Sequence, residues 1–526
     1  MNRIQIVLTL VLVGRIVNAA PLPDTTKMNV LFFDLEDWTA EALGCYGNDL
    51  VKTPHIDHLA SGGMRFDRAY CQGPVCNASR SSFTTGLRSP TTRTWGNDEP
   101  MDKTIPEWAT TIPEVLKANG IYSVNIGKMF HHTWTANKQM AAFDELGMVS
   151  LPEGYTGIPL EFVPPPNYPE RPKKHFRFVP DPEMDRELTR RYEERQRIWK
   201  TAEKGSKEWN QARALFQQLM AETLGDCGDI EEYHSDGQKM RLAAQRLRSF
   251  AKEKKRFFLS VGSSRPHTPL TCPKKYVDMY NPEDMKLTTA TPDKDKNIPP
   301  IARRYGQNYD IFNQFEITDE ASRKALAAYY ACASFMDAQV GLVLDTLKET
   351  GLDQNTIVIF FADHGFQLGE HGLWSKLTLF EQSTQVPLII RVPGASTNGQ
   401  PCDQIVELVD LLPTLCELLQ MKQPERLEGV SLVPLLKTPT RPWKKAAFTV
   451  CERGPHLGYN VRTKDWAYNE WRTRQGQEVI VRELYHMKTD PLQQTNLAEQ
   501  DPYKEKQAEL AALLADGWQS ALPGTW

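Results

Sequence analysis

Five short runs of apolar, β-favouring residues punctuate this chain: Asn29 to Leu35, Tyr122 to Ile126, Arg256 to Val261, Thr356 to Ala362 and Val386 to Val392. Each is short enough for a buried strand, and helical patterns separate them. Thr111-Ile112-Pro113-Glu114 reads as a capping box with proline in the first turn, and Gly120 closes that helix. A longer helix is predicted from about Ala321 to Thr350, with Asp319 and Glu320 near its start and Gly351 at its end. This alternation predicts an α/β fold with a large, mostly parallel sheet covered by helices on both faces.

The chain has 526 residues, enough for one large domain with an appendage or for about two domains. A boundary is expected near Leu436 to Pro442. Beyond it, Ala447 to Cys451, Tyr459 to Arg462 and Glu478 to Val481 alternate like antiparallel strands, and a helix is predicted from Pro502 to Leu514. The expected organisation is a main domain over residues 21–437 and a smaller C-terminal α+β subdomain over 438–526. Within the main domain, the charged stretch from about Asp181 to Lys255 reads as a solvated helical excursion, preceded by a Pro-rich loop from Pro164 to Pro182.

Met1-Asn2-Arg3, an apolar stretch to Gly14 and Val17-Asn18-Ala19-Ala20 have the layout of a secretory signal peptide over residues 1–20. That run is too short to span a bilayer and no later segment is apolar enough, so export is expected, with no membrane span. Periplasm or extracellular space is favoured over a lysosome, because the one Asn-x-Ser/Thr sequon is Asn77-Ala78-Ser79. Basic and acidic residues nearly balance, 62 against 66, so no global field favours nucleic acid. The nine cysteines show no zinc-site spacing, and setting Cys76 aside leaves eight that permit disulfides without requiring any.

In open α/β sheets, functional groups gather beyond the carboxyl ends of the strands. Here those ends lead into Glu36-Asp37, Gly127-Lys128-Met129-Phe130-His131-His132, Arg265-Pro266-His267 and Asp363-His364-Gly365. Cys76 begins a predicted helix, whose first amides favour anions. Carboxylates gathered from separate strand ends repel unless a cation lies between them, and this donor set suits a hard divalent ion such as calcium better than zinc. Arg80, Lys128, Arg265, Lys376 and the histidines add positive charge and proton donors suited to an anionic ester. Each member has a duller reading: a solvated acidic loop, an ordinary Asp-His-Gly turn, a surface lysine or a structural cysteine. Asp34 is an alternative to Glu36 in a metal shell, and of the adjacent His131 and His132 at most one is expected to be catalytic.

The run Cys76-Asn77-Ala78-Ser79-Arg80, leading into Thr85-Gly86, resembles the signature of the type I, formylglycine-dependent sulfatases of the alkaline-phosphatase-like superfamily. Leu43 to Gly47, Thr53 to Asp57, Gly127 to His131, Arg265 to Pro269, Met336 to Gly341 and Ala362 to Lys376 extend the resemblance across nearly the whole mature chain, most closely to its iduronate-2-sulfatase branch. The resemblance implies a sulfuric ester hydrolase acting on a sulfated carbohydrate, with a 2-O-sulfated uronate favoured. It implies conversion of Cys76 to formylglycine (3-oxoalanine) by a formylglycine-generating or anaerobic sulfatase-maturating enzyme. It further implies Ca2+ held by Glu36, Asp37, Asp363, His364 and the group made from Cys76. Arg80 and Lys128 would stabilise that group and the sulfate, and His131 would assist the aldehyde hydrate. Lys376 and His267 would contact sulfate and the leaving oxygen, and Arg265 would bind substrate. One hydroxyl of the hydrate attacks sulfur and expels the alcohol; deprotonation of the second lets the aldehyde re-form as sulfate leaves.

Three positions depart from the family pattern. Glu36-Asp37 stands for the usual Asp-Asp, Arg265 for a lysine, and Ala78 for a proline. The competing readings are a sulfatase for a different polysaccharide, a phosphatase or phosphonate hydrolase of the same superfamily, and a non-catalytic carbohydrate-binding relative.

Overall fold

Residues 29–35 are β-branched, aromatic or apolar almost throughout, and as the strand Asn29–Leu35 (β1) all seven are buried. Alternate side chains enter two different cores: Leu31, Phe33 and Leu35 lie in one, Val30 and Phe32 in the other. A strand with apolar residues on both faces must be covered on both faces, which puts β1 near the centre of a sheet. A computed structural model of the chain describes residues 21–132, 136–169, 182–203, 205–222, 224–303 and 317–524. The expected signal peptide over 1–20 and most of the Pro-rich loop lie outside the described residues.

Nine further strands complete the main sheet: Met64–Tyr70 (β2), Ser123–Ile126 (β3), Glu145–Gly147 (β4), Ile158–Leu160 (β5), Phe258–Gly262, Thr356–Ala362, Gln385–Val386, Leu388–Arg391 and Pro401–Glu407. With the short strands Leu224–Asp226 (β6) and Leu270–Cys272 (β8) forming a separate pair, Phe258–Gly262 is β7 and the last four are β9 to β12. The order is β10-β2-β11-β9-β1-β7-β3-β4-β5, with β12 beside β2. The centre is parallel: β1 pairs in register with β7 and β9, and β7 with β3. Only β10 and β11 run antiparallel to their neighbours, so the sheet is mixed but mostly parallel, as expected.

The capping box forms, with the Glu114 carboxylate accepting from both the Thr111 amide (2.8 Å) and hydroxyl (2.7 Å). The long helix spans Asp319–Glu349, and the Thr318 hydroxyl caps it. The charged stretch is helical, in Pro182–Thr201 and Lys207–Glu222, but its last helix, Ser235–Glu253, is no solvated excursion. Nine of its residues are buried, and its apolar face (Met240, Ala243, Leu247, Phe250) packs into the core beneath β1 and β7. No disulfide joins any of the nine cysteines.

Ala446–Arg453 (β13), His456–Thr463 (β14), Trp466–Thr473 (β15) and Val479–His486 (β16) form the antiparallel C-terminal sheet, followed by the helix Lys504–Asp516. Its β15 escaped the sequence reading. This sheet lies against the main one: Thr449 Oγ1 donates to Cys71 O (2.6 Å) and the Val450 amide to Gln72 O (2.9 Å). A buried ion network ties the same junction. Arg88 grips both oxygens of Glu407 at 2.6 Å, while Lys444 bonds Glu407 (2.8 Å) and Asp410 (2.6 Å).

Candidate active site

Parallel pairing of β9, β1, β7 and β3 puts their carboxyl ends side by side. β1 and β9 end level, so the residues after Leu35 and Ala362 meet: the Asp363 amide donates to Leu35 O (3.0 Å) and the Asp37 amide to Asp363 Oδ1 (3.2 Å). At the ends of β3 and β7, Gly127 and Gly262 approach so closely that a Cβ on either would collide with the other strand's backbone. That contact brings Lys128 up beside Glu36 as an ion pair.

The fourth contribution is the helix Cys76–Thr85, buried at all ten positions. Its first residue, Cys76, sits where unpaired amides and the helix dipole favour negative charge. Cys76 Sγ lies 3.2 Å from Glu36 Oε1, 3.4 Å from His364 Nε2, 3.7 Å from Lys376 Nζ and 4.0 Å from Asp37 Oδ1. Two overlapping groups each have donor atoms within 4.8 Å of one another: Glu36, Asp37, Cys76 and His267, and Cys76, Asp363 and His364. All five residues expected to ligate a metal therefore converge on the Cys76 sulfur, with His267 beside them.

Arg80 is wholly buried one turn along the helix. Its Nε donates to Asp363 Oδ2 (2.9 Å), and its Nη1 to Asp34 Oδ1 (3.2 Å) and to the carbonyls of Lys128 (2.7 Å) and Met129 (3.1 Å). Asp34 also accepts from Ser260 Oγ (2.7 Å), so it lies beneath Arg80 while Glu36 faces the sulfur. Burial pushes the Asp34 carboxyl up to about 7, against the pull of Arg80.

Burial also raises the Cys76 thiol far above its ordinary range, with Asp363 and Asp37 adding to it, so the unmodified thiol is a poor nucleophile. Burial alone would raise Asp363, but His364, Arg80, Lys128 and Lys376 together bring it below the usual carboxylate range. Lys128 is pulled down to about 7, chiefly by burial. His131 is held neutral by burial and by Lys128 and His132 beside it. Its Nδ1 has no hydrogen-bond partner among the described residues, and its ring lies 4.1 Å from that of His132.

His364 Nδ1 lies 2.9 Å from Gly365 O, which fixes the proton there and aims Nε2 at Asp37 (3.2 Å) and Asp363 (3.7 Å). Three buried carboxylates and an imidazole lone pair gathered about the Cys76 sulfur suit a hard divalent cation, which Glu36, Asp37, Asp363 and His364 could hold. His267 Nδ1 is likewise engaged, 2.8 Å from Thr268 O, leaving Nε2 facing the site 3.8 Å from Asp37 Oδ2.

Arg265 does not join this group. Its guanidinium bonds Thr271 O (2.8 Å), Thr271 Oγ1 (3.2 Å) and His267 O (3.2 Å), bracing its own loop where a substrate contact was expected. Asn77 is turned inward, its amide donating to Gly96 O (3.1 Å) and Glu99 O (2.7 Å), so the sequon is closed to a glycan in the folded chain. Sequence reasoning missed Asp236, buried at the base of the His267 loop, because it sits in a stretch whose charge suggested solvent.

The sulfatase family model spans residues 28–421, from β1 through the last main-sheet strand. The chain belongs to the sulfatase family. A second model, for the C-terminal region of N-sulphoglucosamine sulphohydrolase, spans residues 369–519 of this sulfatase. Iduronate 2-sulfatase of Homo sapiens is 28% identical over 554 residues, covering 90% of this chain and 91% of its own. A sulfatase of Formosa agariphila is 28% identical over 501 residues, covering 93% and 87%. Among solved structures, the fold matches a phosphonate monoester hydrolase from Silicibacter pomeroyi (TM-score 0.71, 21% identity, 95% and 96% covered). It also matches a 2-O GAG sulfatase (TM-score 0.63, 22% identity, 93% and 91% covered). The protein is a sulfuric ester hydrolase with the alkaline-phosphatase-like architecture. No helix among the described residues is long and apolar enough to cross a membrane.

Proposed function

We propose that this sulfatase is exported, depends on calcium and on conversion of Cys76 to formylglycine, and removes sulfate from a sulfated carbohydrate, with a 2-O-sulfated uronate favoured. The observation that carries the reading is the convergence of Cys76, at a helix N-terminus, with Glu36, Asp37, Asp363 and His364 on one point. The sugar assignment draws support from relatives named for iduronate 2-sulfate and 2-O-sulfated glycosaminoglycan. A formylglycine-generating or anaerobic maturating enzyme would be the processing partner, and residues 1–20 the leader that takes the chain out of the cytoplasm.

When present, formylglycine supplies as its hydrate the attacking hydroxyl and a second hydroxyl whose deprotonation lets sulfate go. Glu36, Asp37, Asp363 and His364 would hold the calcium ion. Lys128 and Lys376 flank the site and neutralise charge on sulfate oxygens, while Arg80 is locked by Asp363 and Asp34 with its charge already in place. His131, kept neutral by burial and the cations around it, can hydrogen-bond a hydroxyl at the site without taking up its proton. His267 presents Nε2 to the open side, where a departing alcohol needs a proton.

Mass spectrometry of the Cys76 peptide from native protein, with turnover of nitrophenyl sulfate, phosphate and phosphonate esters and metal analysis, tests this. An aldehyde at residue 76, calcium and a preference for sulfate are expected. An unmodified thiol in active protein, or a preference for phosphate or phosphonate, would overturn the reading. Release of sulfate from a panel of desulfation substrates then decides the sugar.

A further inference from the structure

Asp236 is the second residue of the helix Ser235–Glu253 and is fully buried. Its carboxylate is turned onto the loop that leaves β7. Oδ1 accepts the Ser264 amide (2.8 Å) and Lys239 Nζ (2.9 Å), and Oδ2 accepts the Arg265 amide (3.1 Å). Lys239 Nζ also donates to Ser264 Oγ (2.9 Å), so a buried ion pair closes around the start of the loop. The helix behind Asp236 is held rigid by its own core face and by His234 Nδ1, which accepts the Asp236 amide at 3.2 Å. Two residues beyond the clamp, the loop delivers His267, whose Nε2 stands 3.8 Å from Asp37 Oδ2. No other carboxylate oxygen bonds the backbone amides of 264 and 265 among the described residues.

We propose that Asp236 is a positioning residue for His267, and through it for protonation of the leaving alcohol. The inference rests on the sulfatase reading above. As the sulfur–oxygen bond breaks, its electron pair stays on the bridging oxygen, and a proton delivered from His267 Nε2 neutralises that oxygen. Such transfer depends on placing donor and acceptor within hydrogen-bond reach, so moving the loop costs rate without touching substrate. The loss is largest for poor leaving groups, since a nitrophenolate departs without help and a sugar alkoxide does not.

The test compares kcat/KM for nitrophenyl sulfate and for a sugar sulfate in wild type, Asp236→Asn, Asp236→Glu, His267→Ala and His267→Ala/Asp236→Asn, with thermal unfolding of each. The Glu variant keeps the charge that Lys239 requires while displacing the acceptor by one methylene, so a folded protein carries the displacement even where Asn does not fold. The expected result is an extra loss of about 10- to 100-fold on the sugar sulfate over the aryl sulfate in the Asp236 variants. His267→Ala should show the same signature, and Asp236→Asn should add little in that background. Equal losses on both substrates, or full additivity in the double variant, would overturn the role of Asp236 while leaving the sulfatase reading intact. A wild type that releases sulfate from neither ester would overturn both.

Discussion

The Lys376 ammonium bridges both carboxylate oxygens of Asp37, at 2.8 and 2.7 Å, and stands 3.7 Å from the Cys76 sulfur. It is held there by the C-terminal sheet: Arg453 Nη2 on β13 donates to Leu377 O (2.6 Å), and the Leu377 amide to Pro74 O (3.0 Å). One wall of the site thus depends on the smaller sheet. Lys376→Ala should lower kcat by about 10²- to 10³-fold, the usual cost of losing one donor to developing charge. Lys376→Arg should not restore it, because the planar fork does not replace a compact ammonium in this buried slot. Steady-state kinetics on an aryl sulfate measure both.

Calcium removal should act on stability as well as rate. A ligand bound only by the folded state at about 100 times its Kd adds about 2.7 kcal/mol. Chelation should therefore lower Tm and abolish turnover together, and calcium should restore both. Asp363→Ala should lie below the chelated Tm, because buried Arg80 loses its partner, and should show no response to calcium; a response would place the ion elsewhere.

Specific activity should scale with the fraction of Cys76 converted and extrapolate to zero for unmodified protein. The physical reason is the buried thiol, whose ionisation burial disfavours and which has no second hydroxyl to release sulfate. Preparations made with and without a maturating enzyme, quantified by peptide mass spectrometry, give the line. A positive intercept would mean that the thiol itself turns over substrate.

Glu407→Gln should cost about 3–5 kcal/mol, because Arg88 and Lys444 lose their shared buried carboxylate. Burial opposes ionisation of Glu407, but those two cations hold its carboxyl down at about 2, below its ordinary 4.5. A depressed carboxyl stabilises the fold above its ordinary value, and that contribution drains away as pH falls from about 4.5 towards 2. Asp410 is raised by burial and works in the opposite direction, so the measured slope belongs to the pair. Calorimetry of wild type and variant between neutral pH and pH 3 should show the gap closing on acidification.

The strands β1, β7 and β9 were legible because apolar residues fill both their faces, and the site followed from where those strands end. β2 was not, since Met64–Tyr70 carries Arg65, Asp67 and Arg68 at half-covered positions, Arg68 on the face opposite the other two, and reads as no continuous apolar run. β15 has its polar Asn469 and Glu470 buried in side-chain hydrogen bonds, which periodicity does not reveal. Of the charged groups proposed for the site, those on strand ends or the Cys76 helix converge because a short connection leaves a side chain little choice of direction, whereas Lys376 converges from far along the loop after β9, which the sequence does not reveal. Arg265 has a loop around it and turns back on that loop's carbonyls, a choice set by backbone shape. Asp236 sat in a region where charge suggested solvent, and only the packing of its helix shows otherwise.

The helix Cys76–Thr85 leaves none of its ten side chains exposed. Any catalyst that converts Cys76 must grip the chain before β1, β9 and the C-terminal sheet close around it. If Cys76 is converted as proposed, burial sets the order of events: oxidation first, folding second. On that reading a folded molecule that missed the conversion would be locked out of it, and the active fraction would record a race between processing and the collapse of the core.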